Sequence, residues 1–464
     1  MTSLFNLLNI GAQGLSTHAR GVQIASNNAT NVNTPGYARR SAELEPLSST
    51  PGMSGGVRLR DTRRVVDPWI EGRTLAGLSE QGASRAQSES LQVFDAIFAE
   101  ESGSIGNSLD AFQSALTQWS AQPGDLPSRR VVLAQAEQVG RSFAWAAESL
   151  DSARAQINGK LEAGVASVND RLTRIASLGN EIVKAELGGN EASDLRDQRD
   201  QLLREVAKEV PLTVLQEADG RVQILLAGSR PLVSPDGSVN ALKASRDPAT
   251  NDVRLSINAA GVDVDIGAEL QSGNLGGLLQ ARDGGLTRVQ SRLDQLAADF
   301  ANTYNSQHSA GVGLDGVSGR NLFEPLTATQ GAAKGLRLSA DVAGDPNRLA
   351  GALDATRLPG DNRGALAMRA LVDARTAQGG TLTLNASYAS LMSEAGSTLQ
   401  VAKVQDEQRS AAVDQLEALR QSVSGVSTDE EMVSLMKFQR AYEASLRVVQ
   451  TADQMLAELM QIKR

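Results

Sequence analysis

Few residues in this chain of 464 are of a type that does covalent chemistry. There is no cysteine, which removes thiol nucleophiles, redox pairs, disulfides and thiolate zinc sites together. His18 and His308 are the sole imidazoles, too few for a histidine-rich metal site or most histidine-dependent catalysis. Gly311-Val-Gly-Leu-Asp-Gly316 has the glycines and carboxylate of a phosphate or calcium loop. It lacks the Gly-Lys-Ser/Thr ending and the acidic ligand series, so it reads as an ordinary turn, as does Pro235-Asp-Gly237. Asp263 and Asp265 alternate with valines, the pattern of a strand's wet face and not of an acid–base pair. The basic pairs Arg39-Arg40 and Arg63-Arg64 are too short for nucleic acid and are expected to be solvated or to face another subunit. No zinc-protease or nucleotide-loop motif occurs. The residues predict no enzyme, no cofactor and no metal.

Composition narrows the remaining classes. With 45 basic and 54 acidic residues the net charge is −9, which argues against a nucleic-acid groove. No apolar run reaches the roughly 18 residues that would span a bilayer. Residues 1–17 carry no Lys or Arg and include Asn6, Asn9 and Gln13, unlike a cleavable secretory signal. Aromatic residues make up 3%, and so many small side chains suit long helices packed closely together.

The elements that would position any site are mostly helices. Near the start, Phe5, Leu8, Ala12, Leu15, Ala19, Val22, Ser26 and Ala29 recur every three or four residues, one seam of a helix that ends before Pro35. His18 lies off that seam, at a surface or interface. The end mirrors it with Leu435, Phe438, Tyr442, Ser445, Val449, Ala452, Leu456 and Leu459, behind an acidic first turn at Asp429, Glu430 and Glu431. Four further stripes lie between: Leu109 to Trp119, Leu161 to Ile182, Leu286 to Phe300 and Tyr388 to Ala402. Residues 211–266 alternate β-branched and polar side chains between Gly, Asp and Pro turns.

The expected fold is mainly α with inserted β: an elongated helical bundle assembled from both chain ends, with long terminal coiled-coil helices and a small β-rich insertion domain. An N-terminal helix (1–38) and an extended connector (39–70) come first. The bundle is then built from three stretches of chain, 71–210, 267–325 and 385–424. Between them lie the β insertion (211–266) and a second small insertion of unclear structure (326–384), and a C-terminal helix (425–464) ends the chain. If the terminal helices pair, they must run antiparallel, giving a rod from which the insertions point away. Their apolar faces would complete their burial on other subunits, so both ends are expected to order on assembly.

Ser26-Asn-Asn-Ala-Thr-Asn-Val-Asn-Thr-Pro-Gly-Tyr37 resembles the N-terminal signature of bacterial flagellar rod, hook and hook-associated proteins. Thr428 through Leu456 is similar to the other end of that family. The middle separates its branches. Gly55-Gly-Val57 through Asp67, the helix around Arg130 to Ala136, Ser272-Gly-Asn-Leu-Gly-Gly-Leu-Leu-Gln-Ala-Arg-Asp283 and Leu296 through His308 look like the FlgK family of hook-associated proteins. The resemblance implies a structural subunit at the hook–filament junction, stacked as a ring, with hook protein on one side and a second, FlgL-like junction protein on the other. It further implies type III export without a cleaved signal and an FlgN-like chaperone. Carried onto this chain, the chaperone face is Leu435, Phe438, Tyr442, Val449 and Leu456; the assembly interface adds Phe5, Leu8, Leu15 and Val22. The other readings are a hook or distal rod subunit, and an enzymatic or adhesive role in one of the insertions.

Overall fold

The computed structural model describes residues 2–50, 53–99, 104–259 and 261–462. It is mainly α with inserted β. Helix α1 (Thr2–Thr30) leads into a hairpin of β1 (Arg40–Thr50) and β2 (Met53–Arg64). Helices α2 (Pro68–Leu91), α3 (Val93–Phe98), α4 (Ile105–Ala121), α5 (Leu126–Glu186) and α6 (Ser193–Glu209) follow. Two antiparallel three-stranded sheets come next, β3 (Leu212–Gln216), β4 (Val222–Leu226) and β5 (Arg230–Val233), then β6 (Leu242–Arg246), β7 (Val253–Ala259) and β8 (Val262–Asp265). The chain returns through α7 (Gly273–Leu279), one π-helical segment (Gln280–Leu286) and α8 (Thr287–Ser309). After short helices α9 (Ala332–Gly335) and α10 (Arg363–Ala370) it ends in α11 (Leu384–Ser424) and α12 (Thr428–Ile462). Among the described residues no helix is long and apolar enough to cross a membrane.

The bundle is organised on α5, whose 61 residues extend about 90 Å. Asp125 caps it by accepting from the Ser128 N–H, and Pro127 sits in its first turn, where the missing N–H costs nothing. Its expected stripe is buried in full from Leu161 through Val165, Val168, Leu172 and Ile175 to Ile182. The centre of the core is aromatic: Phe300 lies 4.8 Å from Tyr304 and 5.2 Å from Phe323, and Phe112 meets Tyr304 edge-on. The sheets bury alternate residues against the same core, as Val222, Ile224 and Leu226 do on β4.

A polar knot fixes the β insertion to the bundle. Asn158 of α5 accepts from the Val253 N–H and from Arg282 of the π-helical segment, while Arg154 pairs with Asp252 at 2.7 Å. Arg282, nearly fully buried, also donates to the Val253 carbonyl. The Ser272–Asp283 motif thus has a packing basis: a Cβ at Gly277 would stand 2.1 Å from the Ala83 carbonyl oxygen, so only glycine lets α7 lie that close to α2.

Residues 326–384, expected as a projecting insertion, instead lie on the bundle together with the preceding residues 310–325. They wrap α4, α5 and α8 and add Leu322, Phe323, Leu336, Leu349, Ala365 and Met368 to the common core. Small residues separated by turns carry no helical or strand period, because this segment takes its shape from the bundle beneath it. Arg129, 1% exposed, anchors it by donating to the carbonyls of Pro123, Pro346 and Leu349. Its burial pushes the guanidinium down to about 10, which leaves it charged at neutral pH. Gly311–Gly316 is a turn, closed by Gly313 on Val317 and by an Asp315–Arg320 ion pair.

His308 is the second anchor. Its Nδ1 bonds the Arg320 carbonyl at 2.7 Å and its Nε2 accepts from the Ala350 N–H at 3.0 Å, the pattern of a neutral ring. Burial lowers its pKa below the usual 6.5. Below about pH 6.5 the unfolded chain therefore takes up the proton that the folded one resists. Stability is complete above that value and falls as the pH drops toward the depressed folded pKa. The urea midpoint of the wild type is expected to fall between about pH 7.5 and 5.5, with a shallower slope in His308→Gln. Equal slopes in the two proteins would contradict this role.

Candidate assembly site at the paired chain ends

α1 and α12 lie antiparallel, and the β1–β2 hairpin covers the other flank of α1. The residues that meet across the helix pair are small on one side and large on the other. A Cβ built on Gly21 would fall 2.5–2.7 Å from the Phe438 ring, one on Gly14 2.7 Å from Ser445 Oγ, and one on Gly11 2.6 Å from Val449 Cγ2. Glycine at these three positions lets the α12 side chains fill the place of α1's own. The buried line on α1 is Gly11, Gly14, Thr17, Gly21, Ala25 and Asn28. Thr17 turns to the hairpin and donates to the Val57 carbonyl.

The line that meets α12 lies beside the apolar seam read in the sequence. Phe5 is 55% exposed, and Leu8, Leu15 and Val22 are half-buried on the next flank of the helix. Side-chain hydrophobicity marks the stripe with the most carbon, whereas glycines mark the stripe along which a partner helix comes nearest. On α12 the structure places Phe438 and Val449 against α1, leaves Leu435 and Leu456 half-buried, and exposes Tyr442 at the edge of the seam. Met432, Met436 and Leu446 are exposed beyond that edge. His18 sits within the interface, its ring 6.4 Å from that of Phe438.

One end of the seam is closed by a polar clasp that is absent from the residues expected on sequence grounds. Asn28 is 1% exposed and all four of its hydrogen-bonding positions are used. Its oxygen accepts from the Tyr37 hydroxyl at 2.8 Å and the Arg40 N–H at 3.0 Å. Its nitrogen donates to the Arg40 carbonyl at 2.8 Å and to Glu431 of α12 at 3.1 Å. Glu431, 2% exposed, also receives Arg39 at 2.7 Å, and Arg39 reaches Glu430 at 2.8 Å. Burial raises the Tyr37 phenol above its ordinary range, which keeps it a donor. The rest of the asparagine-rich run ends α1: the Asn31 amide and the Thr30 hydroxyl both donate to the Asn27 carbonyl, and Thr34 donates to Asn31.

Of the two basic pairs, Arg63 is exposed as expected, whereas Arg39, Arg40 and Arg64 are held within the chain. Arg40 pairs with Asp194 and stacks over the Tyr37 ring at 5.0 Å. Arg64 is nearly buried and bonds Asp197 at 2.8 Å and Asp200 at 2.6 Å. Their partners lie about 130 to 150 positions away on α6, beyond the reach of any local reading of charge. The site holds two helices in register.

Comparison with known proteins agrees with this geometry. The family model for the helical domain of the flagellar hook-associated protein FlgK matches residues 91–323, and that for the C-terminal region of flagellar basal body rod FlgEFG proteins matches 420–462. Flagellar hook-associated protein 1 of Salmonella typhimurium is 26% identical over 552 residues, covering 99% of this chain and 100% of the relative. The Bacillus subtilis protein of the same name is 26% identical over 500 residues, covering 99% and 98%. The solved flagellar hook junction protein FlgK from Burkholderia pseudomallei has this fold, with a TM-score of 0.68 at 17% identity over 76% of this chain and 100% of that one. A half-chain match to the helical domain, hook-associated relatives along the full length and a common fold place the chain in one family: it belongs to the FlgK family of flagellar hook-associated proteins.

Proposed function

We propose that this chain is a structural subunit of the hook–filament junction and assembles through its paired terminal helices. The observation that carries this reading is the α1–α12 pair, locked by the glycine seam and the Asn28 clasp while Phe5, Leu8, Leu15 and Val22 remain partly uncovered. A lone subunit gains nothing from apolar side chains held partly in water; a ring of subunits buries them. Hook protein would lie on one side of that ring and an FlgL-like second junction protein on the other. Before export through the flagellar type III apparatus, an FlgN-like chaperone would hold the α12 face of Leu435, Phe438, Tyr442, Val449 and Leu456. A hook or distal rod subunit is the less favoured reading, since the FlgK helical domain occupies the middle of the chain.

Removing residues 1–33 or 428–464 is expected to leave a folded bundle, because the common core draws none of its residues from those ranges. Cells relying on either truncation should build hooks without filaments and lose motility. Normal filament growth from such cells would overturn the proposal.

A further inference from the structure

Methionine is distributed unevenly along the chain. Of eight in 464 residues, four lie within the 35 of α12. Met432, Met436, Met455 and Met460 are 53%, 47%, 47% and 73% exposed, whereas Met368 in the bundle is fully buried and Met392 is half-buried. Phe438, Ser445 and Val449 fill the seam with α1. At about 100° of turn per residue, Met432 and Met436 face one flank of that seam and Met455 the other. Exposed Val433 and Leu459 stand beside them, so both flanks of α12 offer apolar surface to solvent. Flexible, polarisable thioethers suit contacts with neighbours of unlike shape, and their chemical liability is oxidation.

We propose that these four methionines are an oxidation site that switches the subunit's competence to assemble, an inference that rests on the junction reading above. The oxidant is a peroxide. The sulfur lone pair attacks one peroxide oxygen, and the O–O bond breaks as the S–O bond forms. The departing hydroxide takes the proton from the oxygen left on sulfur and becomes water. Sulfur is thereby oxidised by two electrons and the peroxide reduced by two. The sulfoxide is polar, so a neighbouring subunit that covers the flank must desolvate it without an apolar return. The glycine seam and the Asn28 clasp contain no methionine, so the α1–α12 pair itself stays closed. Oxidation changes what the pair offers to its neighbours and leaves the pair alone. Once neighbours cover the sulfurs they are shielded, so the switch acts on subunits not yet assembled.

The test treats full-length protein with dilute hydrogen peroxide, removes the peroxide, and then adds isolated hooks. With no cysteine in the chain, no thiol competes for the oxidant. Peptide mass spectrometry should find the four α12 methionines oxidised roughly tenfold or more faster than Met368. Oxidised protein should sediment with hooks roughly tenfold less than untreated protein, and methionine sulfoxide reductases should restore binding. Hydrogen exchange in α1 and α12 should stay within about twofold of the untreated protein. The combined variant Met432→Leu, Met436→Leu, Met455→Leu, Met460→Leu keeps both flanks apolar and should bind hooks equally before and after peroxide. Undiminished binding by the oxidised wild type overturns the proposal. So does a loss that the leucine variant shares or that the reductases do not reverse. If untreated protein fails to sediment with hooks, the junction reading itself falls, and this inference with it.

Discussion

Asn28→Leu is expected to separate the two ends of the chain. Leucine has the same branching, though more bulk, and none of the four bonds, so the Tyr37 hydroxyl, the Arg40 N–H and the inner oxygen of Glu431 all lose a buried partner. Each such loss costs about 1–3 kcal/mol. Because the groups share one network the losses do not add, and about 3–5 kcal/mol for the terminal unit is the expected total. Hydrogen exchange should then be roughly 100-fold or more faster in α1 and α12, with α5 unchanged. In cells the variant should resemble the truncations. Asn28→Asp should be no rescue, since it retains the acceptors but sets a second carboxylate beside Glu431. Wild-type exchange in both helices of Asn28→Leu would show that the clasp does not hold them together.

The clasp explains an asymmetry in what the sequence discloses. Apolar periodicity found α4, α5, α8 and α11 because those helices bury carbon, and burial of carbon is what periodicity records. It found alternation in β4 and β7 for the same reason. Asn28, Tyr37 and Glu431 bury polar atoms, and their partners lie up to 403 positions away. Each alone reads as a polar residue near a helix end. The one local hint was Asn28 standing in line with Gly11, Gly14, Gly21 and Ala25, a series of small residues at helical spacing ended by an amide. Residues 326–384 are opaque for a different reason: their order comes from contacts with α5 and α8, such as Leu336 over Gly140, and not from any period of their own.

Together the seam and the clasp divide two tasks that hydrophobicity alone would confuse. The glycine face brings α12 close without much apolar area, so the clasp supplies register and the larger side chains of α1 stay outside the pair. Antiparallel order follows from the contacts themselves, since Gly11, Gly21 and Asn28 meet Val449, Phe438 and Glu431 in descending order. A stripe of leucines at the same positions would pair the ends more strongly and leave less apolar surface for neighbouring subunits.

Gly21→Val is the sharpest test of that division. Valine is the better helix former by several tenths of a kcal/mol, so α1 itself should gain helical propensity. Its first carbon nevertheless falls inside the Phe438 ring's contact distance, and the clasp seven residues away prevents α1 from sliding clear. Overpacking of this kind costs about 1–3 kcal/mol, and motility should fall with it. Phe438→Ala in the same chain makes room and should restore some of the loss, a coupling that a double-mutant cycle reads directly. The pair also separates assembly from chaperoning. Gly21→Val leaves the surface of α12 unaltered, so the proposed chaperone should bind it with an unchanged dissociation constant while motility falls. Phe438→Asp changes α12 itself and should weaken both. Normal swimming by Gly21→Val would mean that the seam is not needed for assembly. Wild-type chaperone affinity in Phe438→Asp would mean that the chaperone reads another face of α12.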